Sequence, residues 1–320
     1  MQKKTKGWLI AATVLVVLGL ALFAAAMAAS NWNFTGLNTA KYETSTHEIS
    51  DSFDSISLYT DTADIIFVPS NDGTCSVTCY EPEYEKHTVS VQNGILTIRE
   101  VDTGKWYNNI NIASETPRIA LYLPDAEYHG LFISESTGDI EIPKEFRFEG
   151  MDISVSTGDI TNRASVLDTI KITTSTGDIR VESVSAASLD LSVSTGHVTV
   201  SGTDCRDDMS IHVSTGKASL TDVTCTNLFS DGGTGDITLQ NVLAAGKISI
   251  ERSTGDVKFD GCDATELFIQ TDTGDVEGSL RSDKVFVTTT DTGDVSVPQT
   301  TSGGICEITT NTGDVRMNVQ

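Results

Sequence analysis

Ser136-Thr137-Gly138-Asp139-Ile140 returns as Ser156-Thr157-Gly158-Asp159-Ile160 and as Ser175-Thr176-Gly177-Asp178-Ile179, and variants continue to Asn311-Thr312-Gly313-Asp314-Val315. The Thr-Gly pair occurs ten times, at Thr137, Thr157, Thr176, Thr195, Thr215, Thr234, Thr254, Thr273, Thr292 and Thr312. Successive copies lie 19 or 20 residues apart. A fixed period near twenty marks a stacked repeat in which each unit buries its apolar face against the next.

Aligning the copies on glycine shows which positions face inward. Seven residues before it stand Leu131, Met151, Ile170 and, in the last copy, Cys306; five before it stand Ile133, Ile153, Ile172 and Ile308. Two after it the column reads Ile140, Ile160, Ile179, Val198, Ala218, Ile237, Val257, Val276, Val295 and Val315. The positions between, such as Asp152, Lys171 and Glu307, are mostly polar. Period-two alternation on both sides of the glycine gives two short strands per repeat, each with one buried face.

A parallel β-solenoid and a meander of hairpins both meet that pattern. A primed hairpin turn needs positive φ at its first position, which a β-branched threonine resists. A meander would also bury the position three before glycine, which holds Glu135, Arg252 and four threonines. The reading is therefore an all-β, single-chain parallel β-solenoid of about ten coils over residues 131–320. Glycine supplies the positive φ at each corner, and the preceding threonines stack and bond through their hydroxyls.

Outside the repeat, Lys3, Lys4 and Lys6 precede an uncharged apolar run from Trp8 to Ala29, long enough as a helix to span about 30 Å of hydrocarbon. Basic residues on that side predict a cytoplasmic N-terminus and an extracytoplasmic remainder, so the chain is read as a single-pass cell-membrane protein. A cleaved signal peptide, with small residues at Ala26-Met27-Ala28, is the competing reading. Residues 1–30 then form the anchor, and 31–130 an irregular β region capping the solenoid. In that region Ile56 and Leu58 alternate with serines, and Thr62-Ala63-Asp64-Ile65 is a degenerate turn. Val89 to Ile98 reads as a hairpin around Asn93-Gly94, and Arg118 to Leu123 as a strand ended by Pro124. Asn33-Phe34-Thr35 is a glycosylation sequon, and Asp102 to Thr116 a loop. At the other end the coil of Val315 has no cap of its own. It is therefore expected to meet a partner or a second copy.

With 45 Asp and Glu against 21 Lys and Arg, the net charge is −24, the wrong sign for nucleic acid. Eight carboxylates recur after glycine: Asp139, Asp159, Asp178, Asp236, Asp256, Asp275, Asp294 and Asp314, interrupted by His197 and Lys217. Stacked at coil spacing they repel, so they are solvated, capped by turn amides or bridged by cations. Calcium has its best case where Asp272 and Asp291 join Asp275 and Asp294. Phe132, Phe229 and Phe268 share an outward column and are candidate contacts. Of the six cysteines, Cys205 and Cys225 stand at equivalent positions on adjacent coils, as a disulfide or a pair of buried thiols; Cys75 and Cys79, four apart on one strand, cannot bond each other. The histidines His47, His87, His129, His197 and His212 show no zinc-binding spacing, and no catalytic, cofactor or metal residues are assigned.

The N-terminal apolar segment, Ile56-x-Leu58, Leu121-Tyr122-Leu123-Pro124 and the repeated Ser-Thr-Gly-Asp-Ile turns together resemble the bacterial putative-adhesin family of β-strand-repeat membrane proteins. The resemblance covers nearly everything from residue 45 onward and implies a bacterial envelope protein without known catalytic residues. The expected function is non-catalytic: a membrane-anchored surface module displaying an acidic solenoid to a protein or polysaccharide partner, with cations as further ligands. A structural or signalling role at the envelope is the alternative, and a polysaccharide-active β-helix enzyme a weaker third reading.

Overall fold

The computed structural model describes residues 2–29, 32, 41–70, 73–83, 85–102 and 115–320. The sequon at Asn33 and most of the expected loop at Asp102 to Thr116 lie outside them. The apolar run forms a helix, Gln2–Ala29, whose stretch Lys6–Ala29 is long and apolar enough to cross a membrane. Such a helix is a membrane anchor or a signal peptide.

The described residues from 41 onward are strand and turn, arranged as a β-solenoid of two facing sheets with fifteen and fourteen strands. Each repeat gives the strand before Thr-Gly to one sheet and the strand after it to the other. Thr137 aligns with Thr157, Thr157 with Thr176, and Thr176 with Thr195. Across the lumen Ile140, Ile160, Ile179 and Val198 stack in register. These columns are the core: Ile133, Ile153, Ile172 and Leu191 are fully buried. Parallel coils in constant register turn one buried residue into a continuous apolar ladder.

The corner requires glycine for two reasons. Gly235 has φ 128°, and a Cβ built on it would lie 1.7 Å from the carbonyl oxygen of Gly216 on the neighbouring coil. The same collision, at 1.9 Å, separates Gly158 from Gly138. The backbones stack too closely for any side chain.

The position three before glycine does face inward, contrary to the expectation used against the hairpin reading. Glu135, Thr174, Arg252, Thr271 and Thr310 are all buried. They are tolerated because the corner exposes backbone groups to the lumen that these side chains satisfy. Thr271 donates to Gly255 O at 3.3 Å, Thr310 to Gly274 O at 3.2 Å, and Glu135 Oε1 accepts the Ala63 N–H at 3.1 Å. Thus the hydroxyl bonding expected of the threonine before glycine is carried by these inner threonines. Arg252 bonds Ser230 Oγ at 2.7 Å in space left by Gly232, where a Cβ would sit 1.9 Å from Arg252 Nη1. The irregular Ser230-Asp231-Gly232-Gly233 is the accommodation of that one arginine.

Both ends of the stack depart from chain order. Strand Gly304–Thr312 lies between Glu266–Thr273 and Lys284–Thr292, and Val315–Val319 likewise separates Val276–Leu280 from Val295–Ser296. The coil carrying Val315 is therefore not the open one; the coil of residues 284–296 is. Burial explains the order. The inner coil presents Cys306, Ile308, Val315 and Met317, all buried, whereas the outer one carries Thr288 where most coils have an apolar residue.

At the N-terminal end, Ser55–Thr62 and Asp64–Ser70 form a further parallel coil against the first repeat, with Ala63 in place of the glycine. Ile95–Asp102 and Arg118–Pro124 stack outside it. The stretch expected to be an irregular cap thus contributes two coils, and beyond them the pairing turns antiparallel. Glu85–Gln92 closes one sheet as a hairpin with Ile95–Asp102, turning at Asn93 and Gly94, both of positive φ. Cys75–Pro82 and Tyr42–Ile49 close the other. Phe67, Phe146, Phe148 and Tyr128 pack ring against ring between the sheets there.

Candidate functional site: the carboxylate corner and the open end

The aspartates after glycine form one column along the corner, and the backbone takes up much of their charge. Asp159 N–H donates to Asp139 Oδ1 at 2.8 Å, Asp178 N–H to Asp159 Oδ1 at 2.8 Å, and His197 N–H to Asp178 Oδ1 at 2.9 Å. The series starts one coil earlier, where Asp64 Oδ1 accepts Asp139 N–H at 3.2 Å. It resumes after Lys217 with Asp236, Asp256, Asp275, Asp314 and Asp294, in that spatial order. Each carboxylate but Asp294, on the outermost coil, therefore caps the next coil, as the turn-amide reading expected.

Second oxygens meet cations where the sequence supplies them. Arg180 bonds Asp178 Oδ2 at 2.7 Å and lies 3.6 Å from Asp159. Lys217, in the gap of the column, reaches Asp236 at 3.0 Å and holds its carboxyl below the usual range. Asp314 is held low first by the Asp294 N–H and then by Arg316. The residues proposed for calcium are not brought together: Asp314 stands between Asp275 and Asp294, and Asn311, which donates to Asp272 at 3.4 Å, comes from the same intervening coil. Coil order separates the four residues read for calcium and places Asp314, another carboxylate, between Asp275 and Asp294.

The open end is the other distinctive surface. Inward residues of the column two after glycine are 0–1% exposed elsewhere, yet Val295 is 45% exposed. Val287 and Ile305, on the outer face of the other sheet at this end, are exposed as well. A groove of about 580 Å³ adjoins this end, lined by Asp263, Ser282, Lys284 and Gly303 among others. Its buried Lys284 pairs with Asp263 at 2.6 Å; burial works against the Asp263 charge, and Lys284 and Ser282 outweigh it.

The aromatic column is dispersed rather than a shared platform. Phe132 packs on Tyr59 at 5.4 Å, and Phe229 lies under the Lys247 ammonium at 4.7 Å. All six cysteines are free and buried, so Cys205 and Cys225 are a thiol pair. Of the histidines, His129 and His212 pair with surface acids, whereas His87 is buried with Cys79 and Glu81. Reading the histidines by spacing alone missed that last group.

Residues 53–207 and 201–320 match the Toastrack DUF4097 family in two overlapping stretches. The chain belongs to this family. The Toastrack solenoid is similar to the crystal structure of a putative lipid binding protein from Parabacteroides distasonis, at 18% identity and TM-score 0.50 over 88% of this chain and 98% of that one. It is also similar to a putative adhesin from Bacteroides fragilis, at 15% identity and TM-score 0.44 over 87% and 97%. A putative adhesin from Parabacteroides distasonis matches at 11% and 0.47 over 88% and 98%. At these identities the likeness concerns the fold. No curated protein matches the Toastrack chain.

Proposed function

We propose that this protein is a membrane-anchored surface module that works by binding and not by catalysis. The helix at residues 6–29 stays uncleaved as a single-pass anchor with the basic tip in the cytoplasm, and the acidic solenoid stands outside as a rigid rod. Its partner is an envelope or extracellular protein or polysaccharide, with basic groups or cations as the complement of the net charge of −24.

The observation that carries this reading is the evenness of the coils. With Thr-Gly pairs 19 or 20 residues apart from 137 to 312, the repeat has no long excursions to wall a cleft around its acids. The ladder carboxylates are engaged by turn amides and neighbouring cations. Contact with a partner, a second copy included, is proposed at the coil of residues 284–296, whose inward Val295 is uncovered.

The test is a binding screen of the soluble 31–320 fragment against envelope polymers and glycans, with light scattering for self-association. Retained binding without turnover is expected. Glycan cleavage that disappears when ladder aspartates become asparagine would overturn the non-catalytic reading. Loss of all function on removing residues 1–30, with the rod intact, would favour an envelope-coupled structural or signalling role.

A further inference from the structure

Three side chains of different chemistry meet between the sheets at the N-terminal end of the stack, outside the repeat. Cys79 and Glu81 stand two residues apart on Cys75–Pro82, so both point to the lumen. His87 comes from Glu85–Gln92 in the facing sheet. They are 0%, 1% and 5% exposed respectively. One ligating atom from each, a sulfur, an oxygen and a nitrogen, lies within 4.8 Å of the other two.

Two bonds cross the cluster: the His87 backbone N–H donates to Glu81 Oε2 at 2.8 Å, and the proton between that oxygen and His87 Nδ1 occupies the place a cation would take. His87 Nδ1 is 2.8 Å from Glu81 Oε2, while Nε2 on the far side of the ring is 3.0 Å from Thr60 Oγ1. The Thr60 hydroxyl in turn reaches Glu100 at 3.3 Å. Glu81 Oε1 accepts from Ser45 Oγ at 3.1 Å and lies 3.8 Å from Lys86 Nζ. Outer partners thus fix the ring and the carboxylate from behind, as they do around metal ligands. A buried His-Glu pair by itself has no need of an adjacent thiol.

We propose that Cys79, Glu81 and His87 form a binding site for a borderline divalent cation, zinc above all. One sulfur, one nitrogen and one oxygen suit zinc, with a fourth position left to water, whereas magnesium and calcium select all-oxygen sets. On binding, the Cys79 thiol proton and the proton between His87 Nδ1 and Glu81 Oε2 leave to solvent, and the ring keeps its hydrogen on Nε2, toward Thr60. Zinc then ties Cys75–Pro82 in one sheet to Glu85–Gln92 in the other, in the layer that closes this end of the solenoid.

The test uses the full chain in detergent, stripped with a chelator and titrated with Co²⁺. The expected result is one equivalent bound with a thiolate-to-cobalt charge-transfer band, displaced by Zn²⁺ and not by Ca²⁺ or Mg²⁺. Cys79→Ser should abolish the band while Cys205→Ser keeps it, and His87→Gln should weaken binding at least tenfold. No band in the unaltered chain, or a band that survives Cys79→Ser, overturns the proposal. Should Cys79→Ser fail to fold, the unaltered chain decides: zinc raises its unfolding midpoint if the site exists, and an unchanged midpoint overturns it.

Discussion

Glu135 makes the stability of the first repeat depend on pH in a direction opposite to that of most carboxylates. Its side chain enters the lumen, where Oε1 accepts the Ala63 N–H and Oε2 has no partner. Burial, reinforced by the nearby charges of Asp64, Asp139 and Glu100, raises its pKa from 4.5 to about 8. The folded protein therefore holds this proton across a range in which the unfolded chain has released it. The stability associated with that proton is fully present below about pH 4.5 and is lost as pH rises through about 8, at about 1.4 kcal/mol per pH unit in between. From pH 6 to pH 8 the loss is roughly 2–3 kcal/mol. Glu135→Gln keeps the acceptor for Ala63 and cannot ionise. Urea unfolding followed by far-UV circular dichroism at pH 5, 6, 7 and 8 should show the variant gaining on the parent as pH rises. By pH 8 it should lead by roughly 3–5 kcal/mol. Other titrating groups are common to both proteins and cancel in the difference. Parallel pH profiles for the two would refute the reasoning.

Three further outcomes test the corner and the lumen. Gly235→Ala, which forces a Cβ to 1.7 Å from a backbone oxygen, should cost more than about 4 kcal/mol or prevent folding. Gly130→Ala, with nothing within 4 Å of the added atom, should leave the thermal midpoint nearly unchanged. Asp275→Ala removes the acceptor for Asp314 N–H and should cost about 1 kcal/mol, while Asp275→Asn, which keeps it, costs less; midpoints at low and high salt separate capping from charge repulsion. Arg252→Val should lose roughly 2–4 kcal/mol by leaving the space beside Ser230 and Gly232 unfilled. Adding Ser230→Ile should restore at least about 1 kcal/mol of that in a double-mutant cycle.

The solenoid was legible because its period is itself the structure: Ile133, Ile153 and Ile172 align in sequence for the reason that they stack in space. The same regularity concealed the order of the coils at the open end. Near-identical inward columns specify that coils stack and carry little about which neighbours which, so the exchange of residues 284–296 with 304–319 turns on single positions such as Thr288 against Ile308. Column averages also misjudged Glu135 and the inner threonines, because side-chain polarity was weighed without the backbone carbonyls that the corner exposes. The group at Cys79, Glu81 and His87 needed a different reading. Cys79-x-Glu81 marks one face of a strand, but only the facing sheet shows that His87 meets it.

The exchanged coils bear on how this protein reaches its native state. Lys284–Thr292 is synthesised before Gly304–Thr312 and presents Phe286, Thr288 and Thr290 at the spacing with which its successor presents Cys306, Ile308 and Thr310. In a chain emerging from its N-terminal side, the earlier strand finds the edge of Glu266–Thr273 vacant and is built to fit it. The native arrangement gives that berth to the later strand, so assembly at this end is a competition between two claimants for one edge. At the facing inward positions the later strand offers Ile308 where the earlier one has Thr288, and the earlier coil is the outermost layer of the rod.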